Sequence, residues 1–349
     1  MKKFLVGISL LWCLSLSNVS QAQAVNKVYF GSCAKQHKPL PIFDAINQDN
    51  PDVFVFLGDN IYGSHFDVED MPEQYQILAN HKGFQTLRDQ SELIAIWDDH
   101  DYGLKDGGKD FKDKEASRKA LLDFWQEPKD SVRYTQDGIY TSYLYGEGDN
   151  TIRVILPDLR WNRDQLYALD NETYEKERKP KLMGRYVPST NPNDTILGEA
   201  QWKWLEAELK KPAAIKVIAS GIQLLGEYSG WESWANFPHE RKRLLDFIKQ
   251  EKIDGVMFIS GDTHFGDATK VVQDDSYPLW EITSSGLSEK WKDVSPNKHR
   301  VGTGVNEVNY GYIEVDWQQK DPVIDFGLKG EEGQVITHFT LSLSDLSHK

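Results

Sequence analysis

Residues 51–63 read PDVFVFLGDNIYG, and this stretch decides how the rest of the chain is interpreted. The run Val53–Leu57 is apolar at every position, which predicts a strand buried on both faces. Gly58 ends the run at a turn, and Asp59 and Asn60 follow directly. In open α/β sheets, polar residues at the carboxyl ends of strands line the binding sites. The stretch therefore predicts an α/β fold with a site at the end of this strand.

The same arrangement occurs twice more along the chain. The apolar run at 93–97 stops at the sequence DDHD (98–101), and the run at 256–260 leads into GDTH (261–264). One such cluster alone would be interpreted as a helix cap or a turn, because Asp is common in both. Three clusters at strand ends, each combining carboxylates with His or Tyr, instead indicate a metal site, since these are ligands of hydrolytic centres.

The spacing within these clusters favours two neighbouring metal ions. His264 follows Asp262 by two residues, so in an extended strand both side chains point to the same face. Tyr62 follows Asp59 by three residues, which places the phenol beside the carboxylate in a turn. Neither spacing matches a zinc finger or an HExxH motif. Because one carboxylate can bridge two cations, the pattern predicts a binuclear centre rather than a structural metal site.

The remainder of the chain alternates predicted strands with predicted helices. Strands are expected at VYFGSC, TIRVILPDLR, AIKVIASGI and GVMFISGDTHFGD, and in the tail from Tyr310 to Ser344. Helices are expected at PIFDAIN, Met71 to Leu87, SRKALLDFW, LGEAQWKWLEAELKK and ERKRLLDFIKQ. The segments Gly103 to Lys114 and Asn162 to Asp194 are expected to be polar loops. We therefore predict one α/β domain whose strand ends face a common site.

The first 24 residues are predicted to be a secretory signal peptide. Lys2 and Lys3 precede the apolar run FLVGISLLWCLSLS, and the small-residue end AQA places cleavage after Ala24. The run is short for a membrane span, and an uncleaved anchor is the alternative. The expected organisation is a signal peptide over 1–24 and one domain over 25–349, in a periplasmic or secreted protein.

The composition is that of an acidic globular protein. The chain has 349 residues, of which 39% are hydrophobic and 12% aromatic, enough for one large core. Its formal net charge of -14 becomes -16 when Lys2 and Lys3 are removed, because two positive charges are lost. Such a surface argues against nonspecific nucleic-acid binding. No membrane span beyond the signal peptide and no protein partner are predicted.

Cys33 needs a separate explanation in an exported chain. The other cysteine, Cys13, lies in the segment expected to be removed, so Cys33 would have no disulfide partner. An unpaired thiol in an oxidising compartment is prone to oxidation and cross-linking. Burial as a small apolar core residue is one explanation. Metal coordination is the other, because a bound thiolate is held deprotonated and shielded from disulfide exchange.

Eight segments in a fixed order give the chain a family resemblance. They run from Phe30 to Leu287 and read FGSCAKQ, PDVFVFLGDNIYG, IAIWDDHDYG, VILPDLRWNRD, LGEAQWKWLE, ESWANFPHERKRLL, SGDTHFGD and WEITSSGL. In these segments the chain resembles the alkaline phosphatase D (PhoD-like) family of calcineurin-like metallophosphoesterases. The resemblance implies an α/β metallophosphoesterase-type sandwich of two mixed β-sheets flanked by helices, in a single domain. It also implies hydrolysis of a small-molecule or lipid-derived phosphate ester, as a phosphomonoesterase or phosphodiesterase.

The resemblance also implies a set of metal ligands. The positions that match the family's iron ligands are Cys33, Asp59, Tyr62 and His264. Asp59 would bridge to a second ion, whose other ligands should include Asp99 and Asp262. His100 falls on the catalytic histidine of the superfamily. The expected cofactors are Fe3+ and Ca2+, with another divalent metal as the alternative in the second site.

The chain departs from the wider pattern in two places. The middle histidine motif of the superfamily is replaced in register by SGIQ at 220–223, which leaves an oxygen-rich second site and favours calcium over zinc or manganese. Well-known members carry an immunoglobulin-like domain before FGSC, whereas only a few residues separate that motif from the expected signal peptide here. Because that domain and the long loops frame the cleft, the preference for monoesters or diesters stays open.

The expected chemistry follows from paired cations beside a histidine. Two cations would neutralise the phosphate oxygens and lower the pKa of a water that attacks phosphorus in line with the leaving alcohol. His100 would protonate the leaving oxygen, a role typically worth about 10²–10⁴-fold in rate. Arg160, at the end of VILPDLR, is a candidate clamp on the phosphate. An ion pair with Asp158 or Asp164 is the equal alternative for this arginine.

Other functions and roles remain open at the level of sequence. A glycosidase with paired carboxylates would need neither metals nor a lone thiol. A non-catalytic extracytoplasmic protein that binds calcium or phosphate esters would be expected to lack a ligand, and none is missing. Trp231 and Trp234 in GWESWANF either stack on a substrate's organic group or lie in the core. Asp98 and Asp101 are candidates for fixing His100 in place.

Overall fold

The computed structural model describes residues 25–63, 68–227 and 229–349. Its strands, in chain order, are β1 (Lys27–Gly31), β2 (Val53–Leu57), β3 (Glu92–Ile96), β4 (Thr141–Glu147), β5 (Asn150–Leu156), β6 (Tyr167–Ala168), β7 (Tyr186–Val187), β8 (Ile215–Ser220), β9 (Val256–Ser260), β10 (Gly266–Val271), β11 (Leu279–Ser284), β12 (Asn309–Asp316), β13 (Val323–Gly330) and β14 (Val335–Ser342). The α-helices are α1 (Ile42–Asp49), α2 (Met71–Ala79), α3 (Lys82–Gln90), α4 (Asp99–Tyr102), α5 (Lys114–Phe124), α6 (Asn171–Thr173), α7 (Gly198–Lys210) and α8 (Pro238–Gln250). The signal peptide expected over 1–24 lies outside the described residues and stays a prediction.

Two six-stranded sheets form the centre of the described fold. The strand order is β14-β13-β12-β1-β2-β3 in the first sheet and β10-β11-β9-β8-β5-β4 in the second. Both sheets are mixed, because β1, β2 and β3 run parallel in one and β5, β8, β9 and β11 in the other. The strands outside these parallel sets pair antiparallel. The predicted arrangement of two mixed sheets flanked by helices in a single domain is confirmed.

Strand β2 is buried on both faces, as its unbroken apolar run predicts. Val53, Val55 and Leu57 lie in the core between the two sheets. Phe54 and Phe56 alternate with them and pack in a second cluster, formed with residues of α1, α2, α3 and α5. One side of the strand therefore holds the sheets together, and the other holds the helical layer on the first sheet.

Two predicted elements differ in the structure. The helix expected from Met71 to Leu87 is divided into α2 and α3, because the backbone of His81 is extended (φ -68°, ψ 123°). The side chain of His81 bonds to the carbonyl oxygen of Gln36 at 2.7 Å, which holds the break against the loop after β1. The strand expected to continue through GDTHFGD ends at Ser260 and resumes as β10, so the histidine of this segment lies in a turn.

The fold brings the ends of four strands to one place. The backbone N–H of Ser32, just after β1, donates to the carbonyl of Ser284 at the end of β11, at 3.1 Å. The N–H of Gly261, just after β9, donates to the carbonyl of Gly221 after β8, also at 3.1 Å. The carboxyl end of β1 in the first sheet therefore lies beside the carboxyl ends of the parallel strands of the second sheet. Within the described residues, no helix is both long and apolar enough to cross a membrane.

Candidate metal centre and active site

Four residues at the strand ends hold a left-handed backbone conformation. Their φ angles are 63° at Cys33, 51° at Asp59, 71° at Asp262 and 55° at His264. Non-glycine residues adopt this region rarely, at a cost on the order of 1–3 kcal/mol each. The pair Asp262 and His264 was expected in an extended strand, and the turn corrects that expectation. Strain shared by these four positions points to a function for this part of the chain.

Gly58 allows the loop after β2 to approach the loop after β3. Its φ is +92°, and a Cβ atom at this position would lie 2.5 Å from the backbone nitrogen and the Cβ of Asp98. Only glycine fits here, since that distance is far inside van der Waals contact. The close approach lets the backbone N–H of His100 donate to Oδ1 of Asp59 at 3.2 Å.

The four expected iron ligands lie together. The Sγ atom of Cys33 is 3.6 Å from Oδ2 of Asp59, and the Tyr62 hydroxyl donates to the same oxygen at 3.1 Å. The Tyr62 hydroxyl is also 3.3 Å from Nε2 of His264. Ligand atoms of Cys33, Asp59 and His264 are all within 4.8 Å of one another. The spacing of these sulfur, oxygen and nitrogen donors is that of a site for one ion.

The expected ligands of a second ion lie beside the first group. A carboxylate oxygen of Asp59, one of Asp99 and a ring nitrogen of His100 are within 4.8 Å of one another. Asp98, Asp99 and Asp262 form a further set at the same spacing. Asp59 belongs to both neighbouring groups, which is the position of a bridging carboxylate.

His100 stands at the wall of the cavity above these carboxylates. Its ring lies against the Tyr62 ring, with centroids 4.1 Å apart and planes 39° apart. The imidazole is half-buried and lines the pocket together with Asp99 and His264. A histidine in this position can exchange protons with a group bound in the pocket.

Asp101 and Asp98 contribute to the site by holding its loops. The carboxylate of Asp101 accepts hydrogen bonds from the backbone N–H groups of Asp59, Asn60 and Asp98 at 3.2, 3.3 and 2.6 Å. Asp98 in turn accepts from the guanidinium of Arg160, with Nε at 2.7 Å. These bonds fix the loops after β2 and β3, and a direct role of Asp98 or Asp101 in fixing His100 stays a prediction.

Burial controls the protonation of the candidate ligands. It raises the pKa of Asp59 and Asp262 well above the ordinary value of 3.8, and neighbouring carboxylates add to the effect. Burial likewise raises the pKa of the Cys33 thiol and the Tyr62 phenol. It lowers the pKa of His264 to about 4, which leaves this imidazole neutral and able to act as a ligand near neutral pH.

These donors fit bound cations. Asp59 and Asp99 are buried and Asp262 is half-buried. Carboxylates this close and this shielded from water are unfavourable together unless a positive charge compensates them. Oδ2 of Asp98 is buried and has no hydrogen-bond partner among the described residues. The group with thiol, phenol and imidazole donors suits a transition metal, and the carboxylate group suits a hard divalent ion. Both groups therefore fit metal cofactors, and the identity of the two metals stays a prediction.

Arg160 occupies a different place from either expectation. It is 1% exposed, and its guanidinium forms ion pairs with Asp98 and Glu232. Asp158 was expected as an ion-pair partner of this guanidinium, but its carboxylate accepts from the backbone N–H of Arg160, at 2.8 Å, and not from the side chain. With its guanidinium bound to two buried carboxylates, Arg160 is a positioning residue for the loop after β3 rather than a clamp facing the pocket.

The cavity over the site is lined in part by the two segments that were predicted to be polar loops. It has a volume of 510 Å³ and is lined by Asp59, Asp99, His100, Lys105, Asp106, Tyr174, Arg185, Tyr186, Trp231, Glu232, Asp262, Thr263, His264 and Trp291. Lys105 and Arg185 are its cationic residues, and neither was predicted. They lie in the polar segments 103–114 and 162–194, which carry no periodic signal. Their charge type was the available clue, since phosphate-binding sites use lysine and arginine.

The two tryptophans of GWESWANF have different roles. Trp234 is fully buried and packs edge-on against Trp202, with ring centroids 6.3 Å apart. Trp231 is half-buried and lines the cavity. The core explanation is therefore correct for Trp234, and the substrate-facing explanation stays open for Trp231.

Comparison with known proteins agrees with this geometry. A sequence model described as PhoD-like phosphatase matches residues 28–335. The chain belongs to the PhoD-like phosphatase family. Alkaline phosphatase D of Bacillus subtilis (strain 168) is 32% identical to this PhoD-like chain over 109 residues, which cover 28% of the chain and 18% of that protein. The resemblance inferred from the motifs is confirmed, although the match spans less than a fifth of this relative's length.

Solved structures give the same fold. The structure of PhoD superposes with a TM-score of 0.64 at 16% identity, covering 93% of this PhoD-like chain and 73% of the other. A dimetal phosphatase from Danio rerio superposes with a TM-score of 0.52 at 13% identity, covering 94% of this chain and all (100%) of the other. At such identities the likeness concerns the fold alone.

Proposed function

We propose that this chain is a metal-dependent phosphoric ester hydrolase of the alkaline phosphatase D type. One observation carries the proposal: Cys33, Asp59, Tyr62 and His264 converge at one point, and Asp99, Asp262 and His100 lie beside it. Membership of the PhoD-like phosphatase family supports the same activity.

The proposed cofactors are Fe3+ and a hard divalent ion such as Ca2+. Cys33, Asp59, Tyr62 and His264 would hold the iron. Asp59, Asp99 and Asp262 would hold the second ion, and a different divalent metal there would leave the assignment of residues unchanged. When bound, paired cations neutralise phosphate oxygens and lower the pKa of water.

The residues of the chain position the ester and supply a proton. His100 would protonate the leaving oxygen as the ester P–O bond breaks and water supplies the new oxygen on phosphorus. Lys105 and Arg185 line the cavity and are the candidate groups that bind the remaining phosphate oxygens. Asp101 and Arg160 would keep the loops after β2 and β3 in register, so that Asp59 and Asp99 stay adjacent.

Release of nitrophenol from para-nitrophenyl phosphate and from bis-para-nitrophenyl phosphate tests this proposal and compares a monoester with a diester. We expect turnover of at least one ester by the unmodified protein and its loss in Asp59→Asn. Asp149→Asn is the matched control, since Asp149 is exposed between β4 and β5. Binding of both esters without turnover in metal-loaded protein would favour the non-catalytic alternative.

We also infer that the chain is exported after cleavage of residues 1–24. The basic start, the apolar run and the AQA end support this. Amino-terminal sequencing of protein produced with its own leader in a secreting host should give Val25 as the first residue. A mature chain that still begins at Met1 would contradict the inference.

A further inference from the structure

A second cavity opens directly beside the candidate active site. It measures 360 Å³ and shares Tyr174, Trp231 and Trp291 with the wall of the active-site cavity. We call it the aromatic shelf. Its volume is within the range of small-molecule sites. The organic part of an ester held at the metal centre would have this shelf next to it.

Trp231 and Trp291 form a fixed corner of the aromatic shelf. Their ring centroids are 5.0 Å apart and the planes meet at 63°. Nε1 of Trp231 donates to the Ser295 hydroxyl at 3.1 Å, which holds the first ring. The backbone N–H of Trp291 donates to the carbonyl of His264 at 2.8 Å, so the second ring is tied to the loop that carries an expected metal ligand. Trp291 is 36% exposed, which leaves ring surface free for a ligand.

Lysines surround this aromatic corner. Lys179, Lys290 and Lys292 line the shelf, with Asp293 as an acidic residue in the same wall. Lys179 pairs with Glu175 at 2.8 Å, whereas no carboxylate of the described residues pairs with Lys290 or Lys292. A cationic shelf in a chain of net charge -14 is a local reversal of sign. Such a patch attracts anions to the mouth of the site.

The apolar side of the shelf comes from a strained turn. Leu182 lines the shelf with a φ of 59° and is 45% exposed. A leucine rarely adopts the left-handed region, and an exposed leucine there gains little from burial. Leu182 therefore adds exposed apolar surface to the cavity that Trp231 and Trp291 also line.

We propose that the aromatic shelf binds the non-reacting part of the substrate and that this part is a nucleotide. A planar base would stack against Trp231 and Trp291, and a second phosphate would lie near Lys290 and Lys292. The proposal rests on the proposed function, because it names the substrate class of the same site. For a nucleoside bisphosphate, hydrolysis consumes one water, breaks one ester P–O bond and releases inorganic phosphate and a nucleoside monophosphate. An alkyl or lipid-derived ester lacks the ring that this corner fits.

Four substrates separate the contributions of ring and charge. Adenosine 3′,5′-bisphosphate has an aromatic base and a second phosphate. Adenosine 3′-monophosphate has the base without a second phosphate, and fructose 1,6-bisphosphate has a second phosphate without a base. Glycerol 3-phosphate has neither a base nor a second phosphate. We expect kcat/KM for the adenosine bisphosphate to exceed that for glycerol phosphate by at least about tenfold, the size of one stacking contact. Equal values for all four would overturn the proposal.

Variants test whether residues of the aromatic shelf cause the preference for adenosine substrates. Trp291→Ala should remove most of the preference for the two adenosine substrates, and Trp291→Phe, which keeps a flat ring, should retain most of it. Lys290→Gln with Lys292→Gln should reduce the preference for the adenosine bisphosphate over the monophosphate, and Lys320→Gln, an exposed lysine on another surface, should change nothing. A preference that survives both shelf variants, with thermal melting showing that they are folded, would contradict the assignment.

Calorimetric binding of adenosine 3′,5′-bisphosphate separates this inference from the proposed function. Binding that Trp291→Ala weakens, in metal-loaded protein that hydrolyses none of the four esters and neither of the two nitrophenyl esters, would support the shelf and reject the hydrolase. Hydrolysis of simple esters together with absence of adenosine bisphosphate binding would reject the shelf and leave the hydrolase standing.

Discussion

At the scale of single residues, the structure separates the two explanations that the sequence allows for Cys33. It is a free, fully buried thiol, which agrees with the apolar-core explanation as far as burial alone is concerned. Its left-handed backbone and its 3.6 Å distance to a carboxylate oxygen of Asp59 do not follow from that explanation. Backbone strain is typical of functional positions, and a thiol that shares an ion with Asp59 has to lie beside that carboxylate, as this one does.

The Cys33 assignment predicts a coloured protein. Thiolate and phenolate bound to ferric iron should give charge-transfer absorption in the visible range. Cys33→Ser should lose iron and lose or shift this band, and Tyr62→Phe should also shift it, whereas Tyr167→Phe, at a partly exposed tyrosine outside the site, should not. Elemental analysis and a visible spectrum measure this, and a colourless, iron-free Cys33→Ser variant with full activity would show the assignment to be mistaken.

His100 is predicted to act as a proton donor rather than as an essential ligand. His100→Ala should lower kcat for para-nitrophenyl phosphate by about 10²–10⁴-fold. Metal content and melting temperature should change little, because the expected ligands remain in place. His338→Ala, at an exposed histidine of β14, is the control.

Two outcomes would contradict this role of His100. Full activity in His100→Ala would remove it from the reaction. Loss of metal in parallel with loss of activity would make His100 a ligand, as its closeness to Asp59 and Asp99 also permits.

Residue types at strand ends were predictable, and their bonding partners were not. Asp59, Asp99 and His264 follow apolar runs, so their place in the site is visible in the sequence. The partners of Arg160 are 62 and 72 positions away, at Asp98 and Glu232. No local pattern encodes such a pair, because it depends on how the second sheet packs against the loop after β3.

At the scale of elements, the turn after β2 requires glycine at position 58. A left-handed backbone costs an alanine about 1–2 kcal/mol relative to glycine. Gly58→Ala should lower the free energy of unfolding by more than this amount, because the added Cβ also clashes with Asp98. Gly302→Ala is the matched control, since Gly302 has a φ of +77° with nothing within 4 Å of the added atom. Denaturant unfolding of both variants measures the difference, and equal losses would contradict the close approach of the two loops.

The periodic elements were predictable, and the segments around the cavity were not. The predicted strand Val53–Leu57 is β2. A short run that is apolar at every position is typical of a strand buried on both faces of an α/β sheet. The segment 162–194 has no period, and its structure includes β6, α6, a single π-helical turn at Tyr174–Arg178 and β7. Its conformation depends on contacts with the segment between β8 and α8, such as the hydrogen bond from the Gly184 N–H to the carbonyl of Ser229 at 2.8 Å. The segment that contributes Tyr174, Arg185 and Tyr186 to the cavity wall is therefore hard to predict from sequence.

At the scale of the whole molecule, the carboxylates of the candidate site are expected to make stability depend on both metal binding and pH. The folded pKa values of Asp59 and Asp262 are raised above 3.8 by burial. In the metal-free protein their contribution to stability is complete below the unfolded pKa and is lost as the pH rises through the folded pKa. Asp99 opposes this, since Arg160 and other neighbours outweigh its burial and lower its pKa.

Added metal should therefore raise the melting temperature more at about pH 8 than at about pH 5, because cations remove the cost of ionising these groups. Asp262→Asn should reduce this pH dependence, and Asp149→Asn should leave it unchanged. Calorimetry of metal-free and metal-loaded protein measures both. A larger effect of metal at the acidic pH would contradict the predicted charge of the site.

The most direct test of the central claim is the specific activity on para-nitrophenyl phosphate before and after complete metal removal. We expect the purified protein to contain iron and a divalent metal, to lose its activity when elemental analysis shows that chelation has removed both, and to regain it when both are restored. Full activity in protein from which all metal has been removed would show that hydrolysis does not depend on metal.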